Sequence, residues 1–262
     1  IDEAKKDGVD LIITTDCGTK DYEAVEYANQ CGIPVLITDH HILGKTLPNA
    51  HAVVNPYLIE GETPYQNLCG AGVAFKTMMA LADHLETTFS EELYNFMLGM
   101  AALGTLSDRM SLLEPLNRCL VRDGIIAFND SSLPGVRALR EISAGGSMRL
   151  KPREVSRTVT PRLNAPGRIG DRDEGIPDSR MVVNMLIMGI SGVRQTSKKG
   201  LKKYVQQFLD VIETERGLKA TSLQVGQQAE LVDDVNDTRR KITEKIENEI
   251  EHILDKNTDI DS

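Results

Sequence analysis

Two short stretches carry side chains able to hold a divalent cation: Thr15-Asp16-Cys17-Gly18 and Thr38-Asp39-His40-His41. Carboxylate oxygens combined with imidazole nitrogens suit a first-row ion such as Mn2+, and carboxylates with water suit Mg2+. A third acid, Asp108, closes Gly104-Thr105-Leu106-Ser107-Asp108, where a very apolar helix stops. A fourth stretch, Pro161-Arg162-Leu163-Asn164-Ala165-Pro166-Gly167-Arg168-Ile169-Gly170-Asp171, offers two arginines and an asparagine. Guanidinium forks match phosphate oxygens bidentately. Each signal has an ordinary reading on its own: a turn-forming Asp, a capping Asp, a solvated basic run. Asp16 and Asp39-His40-His41 gain weight together, because each follows an apolar, β-branched run.

Those runs belong to an α/β pattern. Val9 to Thr15 predicts a buried strand, and Ile33 to Thr38 a second. Between them Asp21 can cap a helix through Val25 and Ala28 that ends near Gly32. Strand, short helix, strand is a right-handed βαβ unit with parallel strands. Ligands of such sheets bind outside the carboxyl ends of the strands, which is where Asp16 and Asp39-His40 emerge side by side. Ala52-Val53-Val54 reads as a third, shorter strand. From residue 70 to about 142 the spacing is helical, with helices over 73–85, 90–106, 114–128 and 134–141. Pro and Gly within 161–171 predict an irregular loop, and helix resumes after Asp178. From about 194 the chain is charged, with Ile242, Ile246, Ile250 and Ile253 as one narrow stripe. Gly70-Ala71-Gly72-Val73-Ala74-Phe75-Lys76 allows either a phosphate cradle at a helix start or close helix–sheet packing, and packing is the better reading.

Composition bounds the setting. The 262 residues make one large domain or two smaller ones, and 40% hydrophobic content supports a packed core. No apolar run approaches the roughly 20 residues that span a bilayer. The net charge of −9 excludes a generally basic nucleic-acid coat. A local basic patch exists, however: Arg149, Lys151, Arg153, Arg157, Arg162 and Arg168 face a single Glu154 over 149–168. Cys17, Cys31, Cys69 and Cys119 form no C-x-x-C pair, which fits buried thiols in a reducing cytoplasm. Ile1 opens the chain without Met and is followed by Asp2, Glu3, Lys5 and Lys6, so the chain is expected to begin inside a longer protein and to carry no secretory leader.

Asp39-His40-His41 with the upstream T-D-C-G resembles the DHH phosphoesterase superfamily. G-A-G-V-A-F-K at 70–76, A-L-G-T-L-S-D at 102–108, N-R-C-L-V-R-D-G at 117–124 and the 161–171 stretch are similar, in order and spacing, to its RecJ-like branch of single-stranded-DNA-specific 5′→3′ exonucleases. The likeness spans about residues 1–190. It implies an α/β fold: a parallel-sheet DHH domain over 1–190 with a helical insert at about 70–142, then a helical connector over 191–262 toward a second domain. It implies a two-ion site for Mn2+ or Mg2+ with Asp16, His40 and Asp108 as metal ligands. Asp39 and His41 would be catalytic, Asp39 orienting a histidine or joining the ligand set and His41 meeting the scissile phosphate. Arg162, Asn164 and Arg168 would hold the DNA backbone. Repair and recombination, a cytoplasmic location, and single-strand-binding protein or a helicase as partners follow from the same likeness.

Some parts of the family pattern do not appear in these residues. They are the Asp-x-Asp motif expected upstream of Ile1, the second domain with its glycine- and histidine-containing loop, and the oligonucleotide-binding β-domain. These 262 residues alone are therefore expected to bind metal weakly and cleave DNA poorly. Two alternatives remain: a nano-RNase, cyclic-dinucleotide phosphodiesterase or pyrophosphatase of the same superfamily, and a non-catalytic DHH-fold replication scaffold. The Arg/Asn stretch and the helical insert weigh against the first. The joint presence of Asp16, Asp39, His40, His41 and Asp108 weighs against the second.

Overall fold

The computed structural model of the chain describes residues 1–144, 149–169, 179–187 and 190. These fall into two compact units, one over residues 1–131 and the other within 132–190. The division therefore comes at Ser131/Ser132, inside the stretch expected to be one core. The expected connector over 191–262, with its isoleucine stripe, lies outside the described residues.

The first unit opens with a short helix, α1 (Asp2–Lys6), and then builds the βαβ unit. β1 (Ile12–Thr15) and β2 (Val35–Thr38) are parallel, with Ile12 opposite Val35 and Thr15 opposite Thr38. β3 (Ala52–Val54) joins the other side of β2, also parallel, with Thr38 opposite Val54. The crossover helix α2 (Tyr22–Gln30) starts after Asp21 and presses Val25 and Ala28 onto Val35 and Ile37 of the sheet. Asp21 holds the N-cap position, but its side chain makes no capping bond. β2 lies between two neighbours and is nearly all buried. β1 corrects the expectation of a buried strand: it stands at an edge of the described sheet, alternates between half-buried and exposed, and leaves Ile13 52% exposed. Paired on one flank only, it shows the period of a half-covered strand.

The helical insert follows as α3 (Gly70–His84), α4 (Glu91–Ser107) and α5 (Pro115–Asp130). Ser90 caps α4 by accepting the Leu93 N–H at 3.2 Å. Leu68, Val73, Phe75, Leu98, Ala101 and Leu120 form the core these helices share. The cysteines are free, as expected, but only Cys69 is buried; Cys17 and Cys119 are exposed and Cys31 is half-buried. No described helix is long and apolar enough to cross a membrane.

The second unit contains α6 (Pro134–Ala144), a helical run over 152–169, and α9 (Ser179–Ile187). Val136, Leu139, Val155, Val159, Ala165 and Met185 fill its interior. The run begins as α7 (Pro152–Glu154), widens into a π-helical turn (Val155–Val159) and continues as α8 (Thr160–Ile169). The irregular loop expected over 161–171 is therefore helical through Ile169, with Pro166 inside the helix; residues beyond it lie outside the described ones. Pro161 and Pro166 each remove an amide donor. The widened turn lies just before Pro161. Side chains supply further donors: Thr158 Oγ1 to Glu154 O at 2.9 Å, Thr160 Oγ1 to Ser156 O at 2.7 Å, and an Arg162 guanidinium N–H to Thr158 O at 2.7 Å.

Candidate metal centre and basic helix

The parallel register carries the site. The Asp16 N–H donates to Thr38 O and the Asp39 N–H to Val54 O, both at 3.0 Å, so the ladder runs one residue past each strand. Asp16 then takes a left-handed conformation, φ 67°, which Asp tolerates better than most residues. Its carboxylate turns toward the neighbouring strand end.

Four side chains meet there. His40 Nε2 lies 3.0 Å from Asp16 Oδ1 and 3.5 Å from Asp108 Oδ2. One ligand atom each from Asp16, His40 and His41 fall within 4.8 Å of one another. The two imidazoles meet edge to face, with centroids 4.5 Å apart. Asp108 arrives as the C-cap residue of α4.

Asp39 works differently. Its side chain is only 2% exposed, and its carboxylate accepts from four donors: Thr19 N (3.0 Å), His40 N (2.7 Å), His41 N (3.2 Å) and His41 Nδ1 (2.7 Å). Burial pushes this carboxyl up, but the hydrogen bonds from Thr19 and His41 outweigh it and hold the group well below the usual carboxylate range. Asp39 is thus committed to shaping the turn and fixing His41. That hydrogen bond is also the main reason the His41 imidazole is shifted upward, against some desolvation and with help from the Asp39, Asp16 and Asp108 charges. His41 itself remains 58% exposed, its Nδ1 held and its Nε2 on the other side of the ring.

The Asp16 carboxyl is raised: burial is the main cause, His40 pulls it down, and the Asp108 charge pushes it up again. Two carboxylates converging on one imidazole nitrogen form a donor set whose mutual repulsion a divalent cation offsets. The oxygen and nitrogen donors fit Mn2+ and Mg2+. Burial and the neighbouring acids Asp21, Asp39 and Asp16 raise the Cys17 thiol, so it stays protonated beside the cluster.

Two close approaches position the cluster. A β-carbon on Gly70, the first residue of α3, would lie 2.5 and 2.6 Å from Cβ and Cγ of Asp16. One on Gly104 in α4 would lie 2.7 Å from Cβ of Ala71. The packing reading of Gly70-Ala71-Gly72 therefore holds, and Asp16 is what packs there. The motif readings missed Thr19 and Asn55. Both are buried; Asn55 Nδ2 donates to His41 O at 2.9 Å and to Thr19 Oγ1 at 3.2 Å, while its Oδ1 caps Tyr57 N at 2.9 Å. An Asn-Pro pair just after a short strand was the available signal.

The structure thus gathers Asp16, Asp39, His40, His41 and Asp108 in the first unit. Arg162, Asn164 and Arg168 lie on α8 of the second. Asn164 and Arg168, four residues apart, share a helix face, and Arg168 is exposed. Arg162, two residues before Asn164, donates to its own helix at Thr158 O.

Residues 2–105 match the DHH family, N-terminal domain. These residues, most of the first unit, form a DHH-family domain. Among curated relatives, the chain is 35% identical over 211 residues to the single-stranded-DNA-specific exonuclease RecJ of Escherichia coli (strain K12), covering 76% of this chain and 36% of that protein. It is 30% identical over 225 residues to RecJ of Bacillus subtilis (strain 168), covering 84% of this chain and 27% of the relative. Among solved structures it is similar to exonuclease RecJ bound to manganese (TM-score 0.67, 25% identity, 94% of this chain and 52% of that one). It is likewise similar to RecJ in complex with Mn2+ from Thermus thermophilus (TM-score 0.66, 26% identity, 93% and 31%). The chain is RecJ-like and spans about a third of the length of the curated RecJ proteins it matches.

Proposed function

We propose that this chain is the DHH-domain part of a divalent-metal-dependent phosphodiesterase, a 5′→3′ exonuclease on single-stranded DNA. The observation that carries the reading is the convergence of Asp16 and Asp108 on His40 Nε2 at the carboxyl edge of a parallel sheet. Asp16, His40 and Asp108 would hold Mn2+ or Mg2+, which when bound would supply water activation and charge to offset the leaving oxygen of an in-line displacement. Asp39 is a positioning residue: it keeps the His41 ring oriented, so that Nε2 meets a phosphate oxygen. Asn164 and Arg168 bind the DNA backbone, with the rest of the basic 149–168 stretch as an electrostatic footing. The role fits repair and recombination in the cytoplasm, with single-strand-binding protein or a helicase as partner.

The test uses the natural-length protein with single-stranded DNA labelled at either end, with Mn2+ and after chelation. Metal-dependent release from the 5′ end is expected, lost in His40→Ala. Digestion that survives both chelation and His40→Ala would sink the reading. Preferential hydrolysis of short RNA, cyclic dinucleotides or pyrophosphate would move it to a small-substrate branch of the superfamily.

A further inference from the structure

The N-R-C-L-V-R-D-G stretch has no role in the reading above. Its first residue, Asn117, sits in the opening turn of α5 and is completely buried. Both hydrogens of its amide are used: Nδ2 donates to Asn67 O at 2.7 Å and to Ser111 O at 3.1 Å. Asn67 stands three residues before Gly70, the glycine that closes on Asp16, and Ser111 stands three residues after Asp108. One amide group therefore ties together the chain segment entering α3 and the segment leaving α4, which deliver the packing wall of Asp16 and the second carboxylate on His40.

We infer that Asn117 is a positioning residue of the metal centre, fixing the Asn67–Gly70 and Asp108–Ser111 segments relative to each other through its side-chain amide. The inference rests on the metal reading of the cluster. Asn117 Oδ1 is buried with no donor among the described residues. An interior acceptor left unpaired works against stability, so the side chain is poorly explained by packing alone and well explained by its two donated bonds. Without them, the Asn67 and Ser111 carbonyls would lose the amide that joins the two segments. Metal ligands also depend on the outer partners that hold them in place.

The experiment titrates Mn2+ into the natural-length protein, following free Mn2+ by electron paramagnetic resonance, and measures the metal-free melting temperature alongside. Asn117→Leu keeps much of the volume and removes both donors. Asn117→Asp keeps the shape and turns an oxygen toward the same carbonyls. Phe128→Leu, in the buried core of α5 and away from the cluster, serves as a stability control. Both Asn117 variants are expected to weaken Mn2+ binding roughly tenfold and to raise the Mn2+ half-saturation of DNA digestion without changing KM for DNA. Phe128→Leu should leave Mn2+ affinity at the wild-type value. Wild-type Mn2+ affinity in folded Asn117→Leu or Asn117→Asp would overturn the inference alone. So would equal weakening in Phe128→Leu at a matched melting temperature. A wild-type protein that binds no Mn2+ would overturn the metal reading, and this inference with it.

Discussion

Gly70 and Asp16 occupy each other's space: the position of a Gly70 β-carbon is filled by the Asp16 side chain. The first residue of α3 thus forms one wall of the carboxylate that contacts His40. The positive end of a helix dipole also lies on that side of a negative group.

Gly70→Ala is therefore expected to act on metal and fold together. The added methyl must displace Asp16 or push α3 outward, at about 1–3 kcal/mol of stability. Mn2+ affinity should fall as Asp16 leaves His40. Gly72→Ala is the comparison, because its β-carbon would come no closer than 3.2 Å to anything, the nearest atom being a Leu68 methyl. Equal Mn2+ affinity in the two variants would show that Gly70 does not support Asp16.

The sheet and its edge were legible because their signals are local. Apolar β-branched runs at Ile12–Thr15 and Val35–Thr38, separated by a ten-residue helical pattern, leave few topologies, and parallel pairing then brings Asp16 beside His40. The arrival of Asp108 was not legible from spacing alone, since it depends on how α4 packs on α3 through Gly104 and Ala71. Asn55 sits in an Asn-Pro pair and Asn117 opens the N-R-C-L-V-R-D-G stretch, but their roles were not legible: each bonds a backbone carbonyl of another loop, and no sequence pattern records that partner. The helix over 160–169 is hidden because proline reads as a breaker. Here a widened turn precedes Pro161, and side-chain donors reach the carbonyls of Glu154, Ser156 and Thr158.

Asp16 places a charge in a strained, partly desolvated position beside a second acid. Asp16→Asn removes that charge and keeps a residue that accepts a left-handed backbone. The metal-free variant should be slightly more stable than wild type, solvent screening of this half-exposed carboxylate keeping the gain small. Mn2+ at a hundred times its dissociation constant should stabilise wild type by about 2.7 kcal/mol and leave the variant unmoved. The order of melting temperatures then reverses on adding Mn2+. An unchanged order would exclude Asp16 as a ligand.

Asp39 predicts a pH dependence with a fixed sign. Its folded carboxyl titrates below the usual range, so its stabilisation is complete above the unfolded value of about 4 and is lost as pH falls through the folded value. Asp39→Asn should cost about 2–3 kcal/mol at neutral pH. The gap between wild type and variant should narrow steadily as pH drops below about 4. Urea melts at a series of pH values measure it, and a gap that widens in acid would contradict the assignment.

Arg162 and Arg168 read alike in the sequence, but α8 separates their roles. Arg162 donates to Thr158 O across a turn weakened by Pro161, so Arg162→Ala should lower stability by about 1 kcal/mol. Arg168 is exposed and shares a face with Asn164, and Arg168→Ala should leave stability and Mn2+ affinity near wild type. Its effect should fall on DNA instead: KM for single-stranded DNA raised roughly tenfold and the salt dependence of binding shallower by about one phosphate contact. Melting curves and salt-dependent DNA titrations of the natural-length protein separate the pair. If Arg168→Ala changes neither KM nor the salt slope, α8 is not a phosphate-binding face, and the basic 149–168 stretch is a solvated surface.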